Sequence, residues 1–154
     1  MAAAPPYVAV VGAGGNVAAD VLALAEAVGA ELARRGAVVV TGGLGGVMEA
    51  ACRGARAGGA TTLGILPGGD RAAANAFVDI ALATGIGELR NGLVVRCADV
   101  VIAVGGEYGT LSEIALALKA AKPVAGLRSW EIEGVQAAQD AREAVAIVLG
   151  DAPA

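Results

Sequence analysis

Short apolar runs alternate with longer segments of helical periodicity along the chain. The runs predicted as strands are 7–11, 37–40, 61–66, 77–83, 99–104 and 123–127. The segments predicted as helices are 17–35, 47–57, 88–97, 110–121 and 135–149. Strands that alternate with helices imply right-handed crossovers and a parallel sheet. The pattern therefore predicts an α/β fold, namely a Rossmann-like doubly wound parallel sheet in three layers, with residues 1–154 as a single domain.

The composition agrees with a sheet that is buried on both faces. Apolar residues make up 56% of the chain, but aromatic residues make up only 3%. Valine, leucine, isoleucine and alanine must therefore form the core. Strands covered by helices on both faces appear as continuous apolar runs of this kind, and alanine-rich helices pack closely against them.

The charged residues exclude several classes of function. The net charge is −4, and the basic residues are scattered, so we expect no electrostatic binding to nucleic acid. Histidine is absent, which removes the most common general base and the most common zinc ligand. We predict no metal site, and any chemistry would depend on carboxylates, arginine, hydroxyls and backbone amides.

The sequence also predicts a protein of the cytoplasm that does not associate with membranes. The longest uncharged stretch, 1–19, contains prolines and glycines and lacks the pattern of a spanning helix or a secretory signal. Cys52 and Cys97 lie on separate predicted helices without metal-ligand spacing. We expect both to be small buried thiols in a reducing compartment.

Glycine clusters follow three of the predicted strands, at Gly12–Gly15, Gly42–Gly46 and Gly105–Gly109. In a doubly wound sheet, such turns lie at the carboxyl ends of the strands, where helix N-termini offer free N–H groups to anions. The alternative is that the glycines only allow tight turns. The candidate phosphate-binding positions are Gly12, Gly14, Gly15, Gly42, Gly43, Gly45, Gly46, Gly105, Gly106 and Gly109.

Two common nucleotide motifs are absent. Val17 stands where the dinucleotide fingerprint has its third glycine, and no glycine turn is followed by Gly-Lys-Ser/Thr. The only lysines, Lys119 and Lys122, end a predicted helix, where they complement its dipole better than they would form a Schiff base.

Several stretches together resemble the Lonely Guy (LOG) family. The run 41–50 is similar to its GGGxxGLMG stretch, and 64–68 is similar to the strand and turn that follow. Arg90-Asn91 stands where the family has Arg-Lys, and 105–113 resembles its PGGxGTxxE motif. The resemblance covers about residues 7–127, in order and at compatible spacing.

This resemblance implies an enzyme, a phosphoribohydrolase that needs no cofactor. It would cleave the N-glycosidic bond of a nucleoside 5′-monophosphate, either AMP or a cytokinin riboside monophosphate, to base and ribose 5-phosphate. In its short length and in the sequences around Arg90 and Glu113, the chain is more similar to a smaller branch of the family, which includes molybdenum cofactor carrier proteins. In the alternative function, the protein would carry the molybdenum cofactor, a phosphorylated pterin, as cargo without catalysis.

Two departures from the LOG motifs favour the alternative. Glu107 stands where a glycine is expected, and a carboxylate beside a phosphate would weaken binding by about 1 kcal/mol unless it points away or pairs with arginine. Asn91 replaces the family's lysine and removes a positive charge.

Arg90 and Glu113 are the predicted catalytic residues. Each is placed in the first turn of a helix, after the fourth and fifth strands, and would reach one crevice if those strands were neighbours. The resemblance implies that Glu113 stabilises the positive charge developing at the sugar C1′, as an oxocarbenium-like state requires. Arg90 would hold phosphate or base in a forked geometry.

Each of these candidate residues also has a purely structural alternative. Thr110 and Glu113 match a helix capping box, and Arg90 could be a solvated helix residue. Further predicted pocket residues are Asn16, Met48, Glu49, Asn91 and Thr110. The high apolar fraction also predicts a homo-oligomer, because a domain this small has spare apolar surface to bury. The family resemblance implies that the oligomer is a homodimer or homotetramer.

Overall fold

Seven parallel strands form one central sheet in the computed structural model, which describes residues 2–153. The strands are β1 (Tyr7–Gly12), β2 (Val38–Thr41), β3 (Thr62–Leu66), β4 (Ile80–Ala83), β5 (Val100–Val104), β6 (Val124–Leu127) and β7 (Val135–Ala137). Their order is β4-β3-β2-β1-β5-β6-β7, and every neighbouring pair is parallel. The chain therefore builds the sheet outward from β1 in one direction and then in the other, as a doubly wound fold requires.

Helices cover both faces of this sheet. They are α1 (Ala19–Arg34), α2 (Val47–Ala57), α3 (Arg90–Cys97), α4 (Tyr108–Lys119) and α5 (Ala141–Leu149), with short 3-10 segments at Arg71–Ala73 and Gly87–Leu89. A hydrophobic core lies on each face of the sheet, and alternate residues of β1 point into different cores. Val8 and Val10 pack with α1, α2 and α5, whereas Ala9 and Val11 pack with α3 and α4. The predicted single α/β domain with three layers is confirmed.

Helices α1 and α2 are in backbone contact. A Cβ atom added at Gly29 would lie 2.0 Å from the carbonyl oxygen of Ala51, and one added at Gly54 would lie 2.0 Å from that of Glu26. No larger residue fits at either position without separating the helices. Two glycines inside helices, where glycine is normally unfavourable, therefore set the spacing of this layer.

The prediction of one helix over residues 135–149 is wrong. Residues Val135–Ala137 instead pair with β6 as an edge strand, and the helix begins only at Ala141. Asp140 caps it, because its Oδ1 accepts the Glu143 N–H at 2.8 Å. The apolar spacing of the short strand continues that of the helix, so periodicity alone did not separate them.

Other boundaries differ by a few residues. Helix α1 begins at Ala19 rather than 17, α4 begins at Tyr108 rather than 110, and β4 begins at Ile80 rather than 77. Cys52 is buried as predicted, but Cys97 is exposed. Among residues 2–153, no helix combines the length and apolar character needed to cross a bilayer.

Candidate functional site

A cleft of about 880 Å³ lies at the carboxyl ends of the central strands, between the first two glycine turns and helices α3 and α4. Strand β1, where the direction of winding reverses, contributes its last residues to the floor. Crevices at such a reversal point are the usual ligand sites of open α/β sheets. The size also suits a cofactor or nucleotide, since small-molecule pockets are generally about 300–1,000 Å³.

The structure brings together many of the predicted site residues in this cleft. Those that line it are Gly12, Gly14, Gly42, Met48, Arg90, Asn91, Gly109, Thr110 and Glu113. Outside the lining lie Gly15, Asn16, Gly43, Gly45, Gly46 and Glu49, while Gly105 and Gly106 line a separate cavity. The second half of the third glycine cluster, and not its beginning, therefore faces the cleft.

Arg90 and Glu113 reach the same cleft, although the reason predicted from the sequence is wrong. Strands β4 and β5 are not neighbours, because β3, β2 and β1 lie between them. The two side chains meet because α3 returns across the face of the sheet from β4 to β5 and packs beside α4. Arg90 begins α3, but Glu113 lies in the second turn of α4 rather than its first.

The Arg90 guanidinium lies directly above the second glycine turn. A Cβ atom added at Gly42 would come within 2.7 Å of Nη2. Burial lowers the pKa of Arg90, while the carboxylates of Glu113 and Glu88 oppose that shift. Its Nε is buried and has no hydrogen-bond partner in the structure, and Nη1 donates to Asn91 Oδ1. A half-buried guanidinium whose buried Nε has no partner can donate to an anion or to a carbonyl oxygen of a ligand.

Asn91 connects Arg90 to helix α4. Its Nδ2 donates to Ser112 Oγ at 3.3 Å, and Ser112 Oγ donates to the Gly109 carbonyl at 2.6 Å. The asparagine side chain is therefore engaged in positioning Arg90. A lysine at this position could not accept the Arg90 N–H, so the departure from the family pattern has a structural consequence.

Glu113 is buried in the wall of the cleft. Its relative exposure is 7%, and burial raises the pKa of its carboxyl from 4.5 to about 7, although Arg90 opposes the shift. In the described part of the chain, the two residues form no salt bridge within 4.0 Å. Glu113 also does not cap α4. Glu107 holds the N-cap position and forms the capping box with Thr110, so the predicted capping box of Thr110 with Glu113 is wrong.

Glu107 points into the cleft rather than away from it. Its backbone N–H donates to Thr110 Oγ1 at 3.3 Å, and its Oε1 accepts the Gly14 N–H at 3.4 Å. No arginine pairs with it among the described residues. The carboxylate thus links the first and third glycine turns and occupies an N–H group that an anion would otherwise use.

The second glycine turn retains free donors. The Val47 N–H donates to the Ala13 carbonyl at 2.9 Å, and the Gly43 N–H donates to Thr41 Oγ1 at 3.0 Å. Across residues 2–153, however, the N–H groups of Leu44, Gly45 and Gly46 find no acceptor. Such groups before a helix N-terminus favour a negatively charged ligand.

Sequence reasoning missed much of the apolar rim. The cleft is also lined by the apolar or aromatic residues Leu44, Pro67, Leu89, Tyr108 and Leu116, and by the polar Ser112. Tyr108 stands at the variable position of the third motif, so no pattern could indicate it. The carboxylates of Glu88 and Glu107 line the cleft as well, yet no group of three potential metal ligands forms within 2–153.

Comparison with known proteins assigns the chain to a family. Residues 5–153 match the SLOG cluster4 family. The chain belongs to that family. It is 43% identical over 139 residues to an uncharacterized protein of Archaeoglobus fulgidus, covering 90% of this chain and 91% of that one.

Two solved structures that are similar to this chain are named for the molybdenum cofactor. The molybdenum cofactor binding protein of Rippkaea orientalis is 36% identical, with a TM-score of 0.88 over 94% of this chain and 95% of that one. The molybdenum cofactor carrier protein of Chlamydomonas reinhardtii is 35% identical, with a TM-score of 0.83 over 93% and 95%. The predicted likeness to the LOG group and its small branch is confirmed.

Proposed function

We propose that this SLOG protein binds a phosphorylated pterin of the molybdenum cofactor type in the cleft and serves as its carrier. The observation that carries the proposal is the donor and acceptor set of the cleft, in which the half-buried Arg90 guanidinium and several carboxyl groups surround a cavity of cofactor size. The names of the two similar structures support the same ligand class.

The two ends of such a ligand differ in chemistry, as do the two sides of the cleft. A phosphate needs several donors. The free N–H groups of Leu44, Gly45 and Gly46 belong to the same turn as Gly42, above which the Arg90 guanidinium lies. The pyrimidine edge of a pterin presents N–H donors beside a carbonyl oxygen. Glu107 and Glu88, which line the cleft, supply acceptors for those donors.

Glu113 suits a carrier better than a hydrolase. A carboxyl whose pKa is raised to about 7 is protonated in a large share of molecules near neutral pH. A protonated carboxyl donates one hydrogen bond and accepts another, as recognition of a heterocycle requires. Stabilising an oxocarbenium-like state requires the ionised form instead.

The proposal is tested by the cofactor that co-purifies. The protein is expressed in a host that makes molybdenum cofactor, and the pterin released after acid oxidation is quantified by fluorescence. We expect pterin with the parent protein and at least tenfold less with Arg90→Ala, since charge-assisted bonds to phosphate are lost. Arg96→Ala is the matched control, because Arg96 is exposed in the last turn of the same helix. Equal pterin in both variants, or none in the parent, contradicts the proposal.

The phosphoribohydrolase is the second candidate function. The observation that favours it is the presence of Arg90 and Glu113 in one cleft. Incubation with AMP would then release adenine and ribose 5-phosphate, and Glu113→Gln would abolish release while leaving AMP binding in place. Survival of AMP with a folded sample at micromolar enzyme excludes this activity.

We also propose that the protein is a homodimer or homotetramer assembled through α3 and α4. Leu89 and Tyr108 beside the cleft are 78% and 89% exposed, and Leu93 and Leu116 are exposed on the same helices. An apolar surface of this kind is a feature of subunit contacts. Light scattering after size exclusion measures the mass, and Leu93→Lys should reduce it to that of one chain. The absence of nucleic-acid partners and the cytoplasmic location stay predictions.

A further inference from the structure

We infer that Asn75, in the connection between β3 and β4, is a positioning residue that orients the second glycine turn (Gly42–Gly46) toward a phosphate. It contacts this turn although it lies 31 positions beyond Leu44 in the chain. Asn75 does not line the cleft, so it acts through the backbone of the turn and not on the ligand itself. The inference rests on the part of the proposed function that places a phosphate at this turn.

Three hydrogen bonds connect Asn75 to carbonyl groups of the turn. Its Nδ2 donates to the Leu44 carbonyl at 2.9 Å and to the Gly43 carbonyl at 3.4 Å. Its backbone N–H donates to the same Gly43 carbonyl at 2.9 Å. The Asn75 Oδ1 accepts the Phe77 N–H at 3.0 Å, which leaves the NH₂ end of the carboxamide to face the turn.

These contacts determine where the N–H groups of the turn point. Within a planar trans peptide unit, the C=O and the N–H of the following residue point in opposite directions. The carbonyls of Gly43 and Leu44 both point toward Asn75, so the N–H groups of Leu44 and Gly45 both point away from it. These N–H groups have no acceptor within residues 2–153, and Leu44 lines the cleft. Consecutive N–H groups held on one side of the backbone form a concave site for an anion.

The segment that carries Asn75 is fixed to the rest of the fold. Arg56 of α2 donates from Nη1 to the Ala76 carbonyl at 2.8 Å, and Thr62 of β3 donates from Oγ1 to the Phe77 carbonyl at 2.6 Å. Asn75 therefore holds the turn from a position that is set by a helix and a strand.

The side chain of Asn75 matters most for the peptide unit between Leu44 and Gly45. A residue other than proline at position 75 would still hold the Gly43 carbonyl through its backbone N–H. Among the described residues, however, only the Asn75 side chain donates to the Leu44 carbonyl. Glycine accepts rotations that other residues resist. Without this hydrogen bond, the peptide unit can turn over and present its carbonyl oxygen to the phosphate in place of its N–H.

Phosphate titrations of isotope-labelled protein, followed by NMR, test this role. In the parent, the amide signals of Leu44 and Gly45 should shift in a saturable way when inorganic phosphate replaces chloride at constant ionic strength. Asn75→Ala should weaken the fitted affinity about fivefold, as expected for the loss of one oriented donor. Asn75→Asp should also weaken it, because aspartate keeps the acceptor for the Phe77 N–H but cannot donate to the turn.

Asp140→Ala is the matched control for a loss of stability. Asp140 caps α5 and does not line the cleft, so this variant should melt at a lower temperature with unchanged phosphate affinity. Parent-like affinity in Asn75→Ala, or an equal loss of affinity in Asp140→Ala, overturns the role of Asn75 alone. If the Leu44 and Gly45 signals of the parent do not respond to phosphate, the phosphate position in the proposed function is overturned as well.

Discussion

Replacement of Glu113 by glutamine should stabilise the protein by an amount that grows as the pH rises from about 4.5 and levels off above about 7. Burial holds the carboxyl pKa at about 7, compared with 4.5 in the unfolded chain. The native state therefore binds this proton more tightly than the unfolded state does. Between these two pH values the native state retains more protons, so its stability falls as the pH rises. Below pH 4.5 both states are protonated and the loss disappears.

The size of the effect follows from the shift. A rise from 4.5 to about 7 corresponds to about 3 kcal/mol, which is lost once the pH exceeds the native pKa. Glutamine has a similar shape and no charge, so the variant avoids this loss. Glu113→Gln should thus match the parent near pH 4 and exceed its free energy of unfolding by about 3 kcal/mol near pH 8.

Guanidinium denaturation of both proteins at a series of pH values measures the difference. Other titrating groups affect parent and variant alike, so only the gap between the two curves is interpreted. Glu88→Gln is a suitable control, because that side chain lines the same cleft but is exposed, and its curve should follow the parent. A constant gap across the pH series, or a gap that closes with rising pH, would refute the assignment of a buried carboxyl.

Three further variants test the turns and the helix ends. Gly46→Ala should cost about 3 kcal/mol in denaturant, since φ is 63° and the new Cβ would lie 2.2 Å from the Ala13 carbonyl oxygen; Gly68→Ala, in open space, should cost almost nothing. Lys122→Met should lower stability by about 2 kcal/mol in thermal melts, because Nζ donates to three carbonyls at the end of α3. Glu107→Gln should tighten AMP binding about fivefold by calorimetry, and weaker binding would show that its charge does not oppose the ligand.

The sequence predicted those features of the fold and of the cleft that depend on residues close together in the chain. Glycine clusters after apolar strands predicted both the parallel sheet and the edge at which the cleft lies. Glycine at position 42 is explained by Arg90 above it, and glycine at 46 by its left-handed backbone. A close contact or a left-handed backbone requires glycine, and glycine at such a position can be recognised in the sequence.

Features that depend on contacts between distant segments could not be predicted. Nothing in the local sequence shows that Glu107 reaches Gly14, because the two residues are 93 positions apart. Nor does it show that α3 crosses the sheet and brings Arg90 to Glu113. The final strand was missed for a related reason: Val135–Ala137 is too short for its pattern to differ from that of the helix that follows.

The backbone contact between α1 and α2 also determines which wall of the cleft is rigid. Gly29 and Gly54 hold the two helices together, and the first two glycine turns lead into their N-terminal ends. Those turns therefore keep a fixed separation before any ligand arrives, and little conformational entropy is lost when they capture one. Any adjustment to ligands of different size is left to the opposite wall. Hydrogen exchange should accordingly slow on α3 and α4 upon loading and remain unchanged on α1 and α2.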